Sequence, residues 1–148
     1  MALFPVSPLL LSPLCPRLTA RRPQDIGKVE ITGLDKAEYV DKVDGAKTKV
    51  QAAGGVRVTG ETDRVYTPDT SEPVGVAEAG RERFRVVRDN LPDVVVWNPW
   101  TDKAAGLADF APKDGYKTLV CVEAGSVRGW QTLEPGDAYE GAQTITAL

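Results

Sequence analysis

Two short apolar runs, Val94-Val95-Val96-Trp97 and Leu119-Val120-Cys121-Val122, constrain this chain most. Each is strand-length, β-branched and unbroken by polar residues, which fits a strand buried on both faces better than an amphipathic helix. Both lie in one segment, Asp93 to Gly125. That segment also carries the corner Trp97-Asn98-Pro99-Trp100 and a carboxylate, Glu123, at the end of the second run. An apolar strand rarely carries a Glu without cause, because burying a charge is costly unless it is paired or its pKa moves.

The rest of the chain supplies further strands. Lys28 to Thr32 alternates polar and apolar residues before Gly33. Glu38 to Lys42 is a candidate strand ahead of the turn Asp44-Gly45. Thr48 to Ala52 and Val56 to Thr59 flank Gly54-Gly55 as a hairpin. Val74 to Ala77 and Glu82 to Arg88 pair across Ala79-Gly80, and Asp89 to Pro92 breaks the chain again. Thr101 to Leu107 has room for a turn or two of helix. Thr118 to Ala124 and Tyr139 to Ala147 are the last strands. Many short strands with little helix predict an all-β fold, a β-sandwich. Its most apolar strands need cover on both sides, which hints at part of a larger domain.

Residues 1–24 differ in composition. They hold Pro5, Pro8, Pro13, Pro16 and Pro23, and the run Leu9-Leu10-Leu11 is too short to span a bilayer. Arg17, Arg21 and Arg22 without an acidic neighbour have the flavour of an organelle transit peptide. An irregular leader is the plainer expectation. Residues 25–148 form the folded part.

Composition excludes some functions. A net charge of -3 does not suit nucleic acid, and the arginines at 81, 83, 85 and 88 alternate with Phe84 and Val86 as a strand's polar face does. Cys15 and Cys121 form neither a disulfide framework nor a metal-ligand spacing, which fits a reducing, intracellular setting. No histidine occurs in the 148 residues, so Glu123 lacks the commonest acid/base partner.

Three candidates for chemistry remain, each with a plainer alternative. Glu123 stands next to Ala124-Gly125 and could line a pocket as a general base; otherwise it pairs with an Arg or Lys across the sheet. Asp63, in Thr62-Asp63-Arg64-Val65-Tyr66 between a strand and a Pro-containing loop, could accept hydrogen bonds from ligand hydroxyls; otherwise it caps a turn or pairs with Arg64. Asn98, between two tryptophans, suits a sugar site; otherwise it satisfies the backbone of a packed corner. Gly54-Gly55 lacks the lysine and spacing of a phosphate loop.

Several blocks in order carry a resemblance. They are Glu61-Thr62-Asp63-Arg64-Val65-Tyr66, Leu91-Pro92-Asp93-Val94-Val95-Val96-Trp97-Asn98-Pro99-Trp100, Ala108-Asp109-Phe110, Cys121-Val122-Glu123 and Leu133-Glu134-Pro135-Gly136. From Asp25 to near its end, the chain resembles the C-terminal part of the glucose-6-phosphate 1-epimerases, the hexose-6-phosphate mutarotases related to aldose 1-epimerases. The resemblance implies part of a galactose-mutarotase-like supersandwich. It implies a cytoplasmic isomerase that interconverts hexose 6-phosphate anomers without cofactor or metal. It assigns the base to Glu123 and a sugar contact to Asp63. The substrate would be the partner, with no nucleic acid, no membrane and a monomeric state.

The chain also departs from that pattern. The family's acid, a histidine, belongs just upstream of Asp25-Ile26, where Cys15 to Ala20 stand here. Its phosphate-binding arginines belong further upstream still, and Arg17, Arg21 and Arg22 match no motif of theirs. The expectation is therefore a truncated, impaired epimerase. The alternative is a non-catalytic, carbohydrate-binding sandwich fragment.

Overall fold

The computed structural model describes residues 23–129 and 131–148. The leader through residue 22 lies outside the described residues. Among the described residues nine strands form two antiparallel sheets, as the strand patterns predict. In chain order they are β1 (Val29–Thr32), β2 (Glu38–Asp41), β3 (Lys47–Val50), β4 (Thr62–Thr67), β5 (Val74–Glu78), β6 (Arg81–Asp89), β7 (Asp93–Asn98), β8 (Cys121–Gly125) and β9 (Ala142–Ala147). One sheet runs β1-β5-β6-β9 and the other β3-β2-β4-β7-β8. A short helix, α1 (Trp100–Gly106), and a 3₁₀ turn at Gly115–Thr118 connect β7 to β8.

The core lies between the sheets. Val29, Ile31, Val74, Val76, Phe84 and Val86 face Tyr39, Tyr66, Val94, Val96 and Val122. Full burial of each such side chain stabilises the fold by roughly 1.5–3 kcal/mol. Tyr66 is the largest fully buried side chain, and its ring lies 4.8 Å from that of Tyr39.

Three expectations need correction. Gly54-Gly55 does not turn a hairpin. β3 pairs with β2, and Val56 forms a single bridge to Ile31 in the other sheet. The two glycines, both at positive φ, instead point their N–H groups at Asp35 Oδ1, 3.1 and 3.0 Å away. A Cβ on Gly55 would meet Glu30 Cγ at 2.7 Å, so the residue serves a close approach rather than a hairpin tip.

Thr62 to Tyr66 is not a loop margin but most of β4, the middle strand of its sheet. Its charges hide its strand character, and each is answered by a neighbouring strand or helix. β7, finally, is not buried equally on both faces. Val94 and Val96 are 1% and 0% exposed in the core, whereas Val95 and Trp97 are half-buried on the far side.

Candidate functional site

That far side, the face of the five-stranded sheet turned away from the core, gathers the chemistry. Because strand side chains alternate, the register fixes who shares it. Asp63 stands opposite Trp97, and Trp97 opposite Cys121; one step along, Val65 stands opposite Val95, and Val95 opposite Glu123. Asp63 and Glu123 therefore flank Trp97 and Val95 from strands on either side of β7. β4 and β8 make this arrangement, and neither follows the other in sequence.

Glu123 is half-buried. Burial, and secondly the negative charge of Asp63, push its carboxyl above the usual value. Among the described residues no Arg or Lys forms an ion pair with it, so the cross-sheet pair expected as its plainer role is not formed there.

Asp63 has cationic neighbours. Lys42 Nζ lies 3.8 Å from one carboxylate oxygen and Lys103 Nζ 3.9 Å from the other. Lys103 also reaches Glu61 Oε1 at 3.2 Å. No pair with Arg64 forms, since Arg64 points to the opposite face, beside Asp41 and over the Tyr39 ring.

The other end of the face is closed by Asp93, buried at 2% exposure. Its carboxylate accepts from the Thr67 hydroxyl at 2.7 Å and from the Val127 and Arg128 backbone N–H groups at 2.6 and 2.8 Å. The Arg128 guanidinium donates to Glu38 and to Thr67 Oγ1.

Asn98 does not join the face. Its side chain is fully buried on the core side. Its amide nitrogen donates to the carbonyls of Tyr116 (2.9 Å) and Leu119 (2.7 Å), and its Oδ1 accepts from Trp100 N–H (2.8 Å). These bonds satisfy a corner where Trp100 takes a φ of 55°, unusual for a bulky residue. The arrangement matches the plainer of the two roles weighed for Asn98.

Sequence reasoning missed Lys42, Lys103, Asp93 and Arg128. Each is a common surface type; register places Asp93 on β7, while Lys42 just past β2, Lys103 in α1 and Arg128 past β8 reach this face from segments flanking the sheet. Among the described residues no cluster of three His, Cys, Asp or Glu side chains is placed to hold a metal ion. No helix among them is long and apolar enough to cross a membrane.

A paired carboxylate face beside an indole, with cations at one end, suits a polyhydroxylated ligand. Comparison with known proteins supplies the lineage. The model of the aldose 1-epimerase family matches residues 19–146. The chain belongs to the aldose 1-epimerase family. A Cenchrus ciliaris protein provisionally named glucose-6-phosphate 1-epimerase is 32% identical over 124 residues, 84% of this chain and 37% of that protein. An Escherichia coli K12 protein of the same provisional name is 38% identical over 121 residues, 82% of this chain and 40% of its own length. The crystal structure of a provisionally assigned mutarotase from Salmonella typhimurium superposes with a TM-score of 0.74 at 34% identity, covering 84% of this chain and 41% of the other. The all-β sandwich is thus the epimerase-family fold. The chain spans about two fifths of the length of the curated relatives it matches.

Proposed function

We propose that residues 25–148 carry the base side of a hexose-6-phosphate 1-epimerase site. Glu123 removes the proton from the anomeric hydroxyl, and Asp63 accepts hydrogen bonds from neighbouring sugar hydroxyls. As the base takes that proton, an acid protonates the ring oxygen and the C1–O5 bond opens. The aldehyde rotates about C1–C2, and the ring recloses on its other face. The single observation that carries this reading is Glu123 itself: a half-buried carboxylate, unpaired with a cation among the described residues, on the same face as Asp63. Burial and a like charge make it a stronger base than an exposed Glu, and its proton is held closer to neutral pH.

Asn98 enters this reading indirectly, by fixing the corner from which α1 departs. The reading extends to a cytoplasmic monomer acting on a diffusible sugar phosphate, with no cofactor assigned. The relatives' provisional names support the substrate class. The absence of histidine from the 148 residues favours a second reading, a sugar-binding sandwich without turnover.

Anomerisation of α-glucose 6-phosphate by the 148-residue chain, followed by NMR exchange, separates them. The expected result is a rate above the spontaneous one that falls by ~10²–10⁴-fold in Glu123→Gln, with a cooperative melt retained. A Glu123→Gln variant as fast as the parent overturns the base assignment. A parent no faster than buffer that still binds the sugar phosphate supports the second reading.

A further inference from the structure

We infer that Lys103 is a positioning residue for Asp63, delivered by the Asn98 corner to order that carboxylate for sugar hydroxyls. This rests on the epimerase reading of the face.

The geometry runs from β7 outward. β7 ends at Asn98, whose amide bonds to Trp100 N–H and to two carbonyls of the connection leading into β8. Pro99 is fully buried and Ala104 is 0% exposed, so α1 is anchored at its start and along its inner side. Lys103 precedes Ala104 and leans back over the sheet, its ammonium shared between Glu61 and Asp63. Lys42, from the other side, reaches the second oxygen of Asp63.

An ammonium has three donors and no acceptor, and Glu61 holds it by charge at 3.2 Å. At 3.9 Å from Asp63 it is near enough to fix the carboxylate's rotation by charge. It is too far to occupy the oxygen fully, which leaves lone pairs for an incoming hydroxyl. A carboxylate whose rotation is fixed and whose lone pairs stay open suits a hydroxyl of a hexose.

Asp63 is also the charged neighbour that, after burial, raises Glu123. The charged groups around it on this face are Asp63 from β4, with Lys42, Glu61 and Lys103 beside it. At the far end stand Asp93, with its hydrogen bonds filled, and the Arg128–Glu38 pair. By the proposed placement, the Lys103 ammonium 3.9 Å from Asp63 offsets part of the charge that Asp63 presents to Glu123.

Lys103→Met and Lys103→Arg in the 148-residue chain test this, with carboxyl-carbon NMR titration of Glu123 and binding of glucose 6-phosphate as readouts. Lys103→Met is expected to move the Glu123 midpoint upward and to weaken binding about two- to fivefold, as loss of a half-exposed ion pair would. Lys103→Arg is expected to restore both. A Lys103→Met protein with lower melting temperature but unchanged titration and binding overturns the inference, since α1 packing alone would explain it. Failure of Lys103→Arg to restore either readout overturns it too. The titration needs no turnover, so an inactive parent chain would sink the epimerase reading while the Glu123 midpoints still tested the role of Lys103.

Discussion

The two faces of the five-stranded sheet treat carboxylates in opposite ways. On the core-facing side, at the open end of β2, Asp41 is surrounded by cations and donors. Lys49 Nζ lies 2.9 Å from it and 2.8 Å from Asp44, Arg64 stands opposite on β4, and the backbone N–H groups of Val43 and Asp44 point at Oδ1. Burial pushes the Asp41 carboxyl up, but the Lys49 contact, the Asp44 N–H and Arg64 outweigh it and hold it below its ordinary 3.8. Asp44, hydrogen-bonded to Lys49 and Lys47, is held down at about 2. On the outer face Glu123 is half-buried with a carboxylate for its charged neighbour, and it is pushed up. One sheet thus carries a cluster of carboxylates compensated by cations and a carboxylate that is not, and the proposed base role rests on the second.

The contrast is open to attack by experiment. The largest expected effect is the loss of ~10²–10⁴-fold in anomerisation rate for Glu123→Gln, against no comparable loss for Asp41→Asn. Equal losses in the two variants would erase the distinction between the faces.

Next in size is Asn98→Ala. It would leave two carbonyls and the Trp100 N–H of a part-buried corner without their partner, at a cost of about 2 kcal/mol in chemical denaturation. A change under about 0.5 kcal/mol would mean that water fills the corner and that Asn98 is not its keystone.

Stability against pH sharpens the comparison further. The lowered Asp41 and Asp44 contribute stability that is present above their ordinary 3.8 and lost as pH falls through their native values, down to about 2 for Asp44. The raised Glu123 works the other way. Its contribution is present below the ordinary 4.5 and lost as pH rises through its raised native value. Glu123→Gln should therefore raise the melting temperature at neutral pH, and the gain should shrink as the buffer is taken below 4.5. A gain independent of pH would show that burial of Glu123 carries no titration penalty.

The smallest expected effect belongs to Lys49→Met. Its acid unfolding should begin at a higher pH than the parent's, because both carboxyls lose the partner that holds them down. An unchanged acid limb would show that the backbone donors and Arg64 suffice for Asp41.

Strand existence was legible where apolar residues alternate or run together, as in β1, β6, β7 and β8. β4 was not, because Asp63 and Arg64 break the apolar pattern and look like turn residues. They are tolerated in a central strand only because Lys42 and Lys103 meet one and Asp41 meets the other. The Gly54-Gly55 pair misled for the converse reason. Its local signal is that of a hairpin, but Asp35, nineteen residues before Gly54, claims both N–H groups.

The sequence by itself determined an all-β sandwich and marked out Glu123, since an apolar strand with one carboxylate is anomalous whatever its neighbours. It also left the histidine-free chain without the usual acid partner for that carboxylate. Only the tertiary structure decided that Asp63 and Glu123 share a face, that Asn98 turns inward, and that Lys103 comes back over the sheet. The first two depend on strand order and register, and the third on the corner from which α1 departs. Pairing β4 with β7 and β7 with β8 joins residues far apart in the chain, and a slip of one residue would send each side chain to the opposite face.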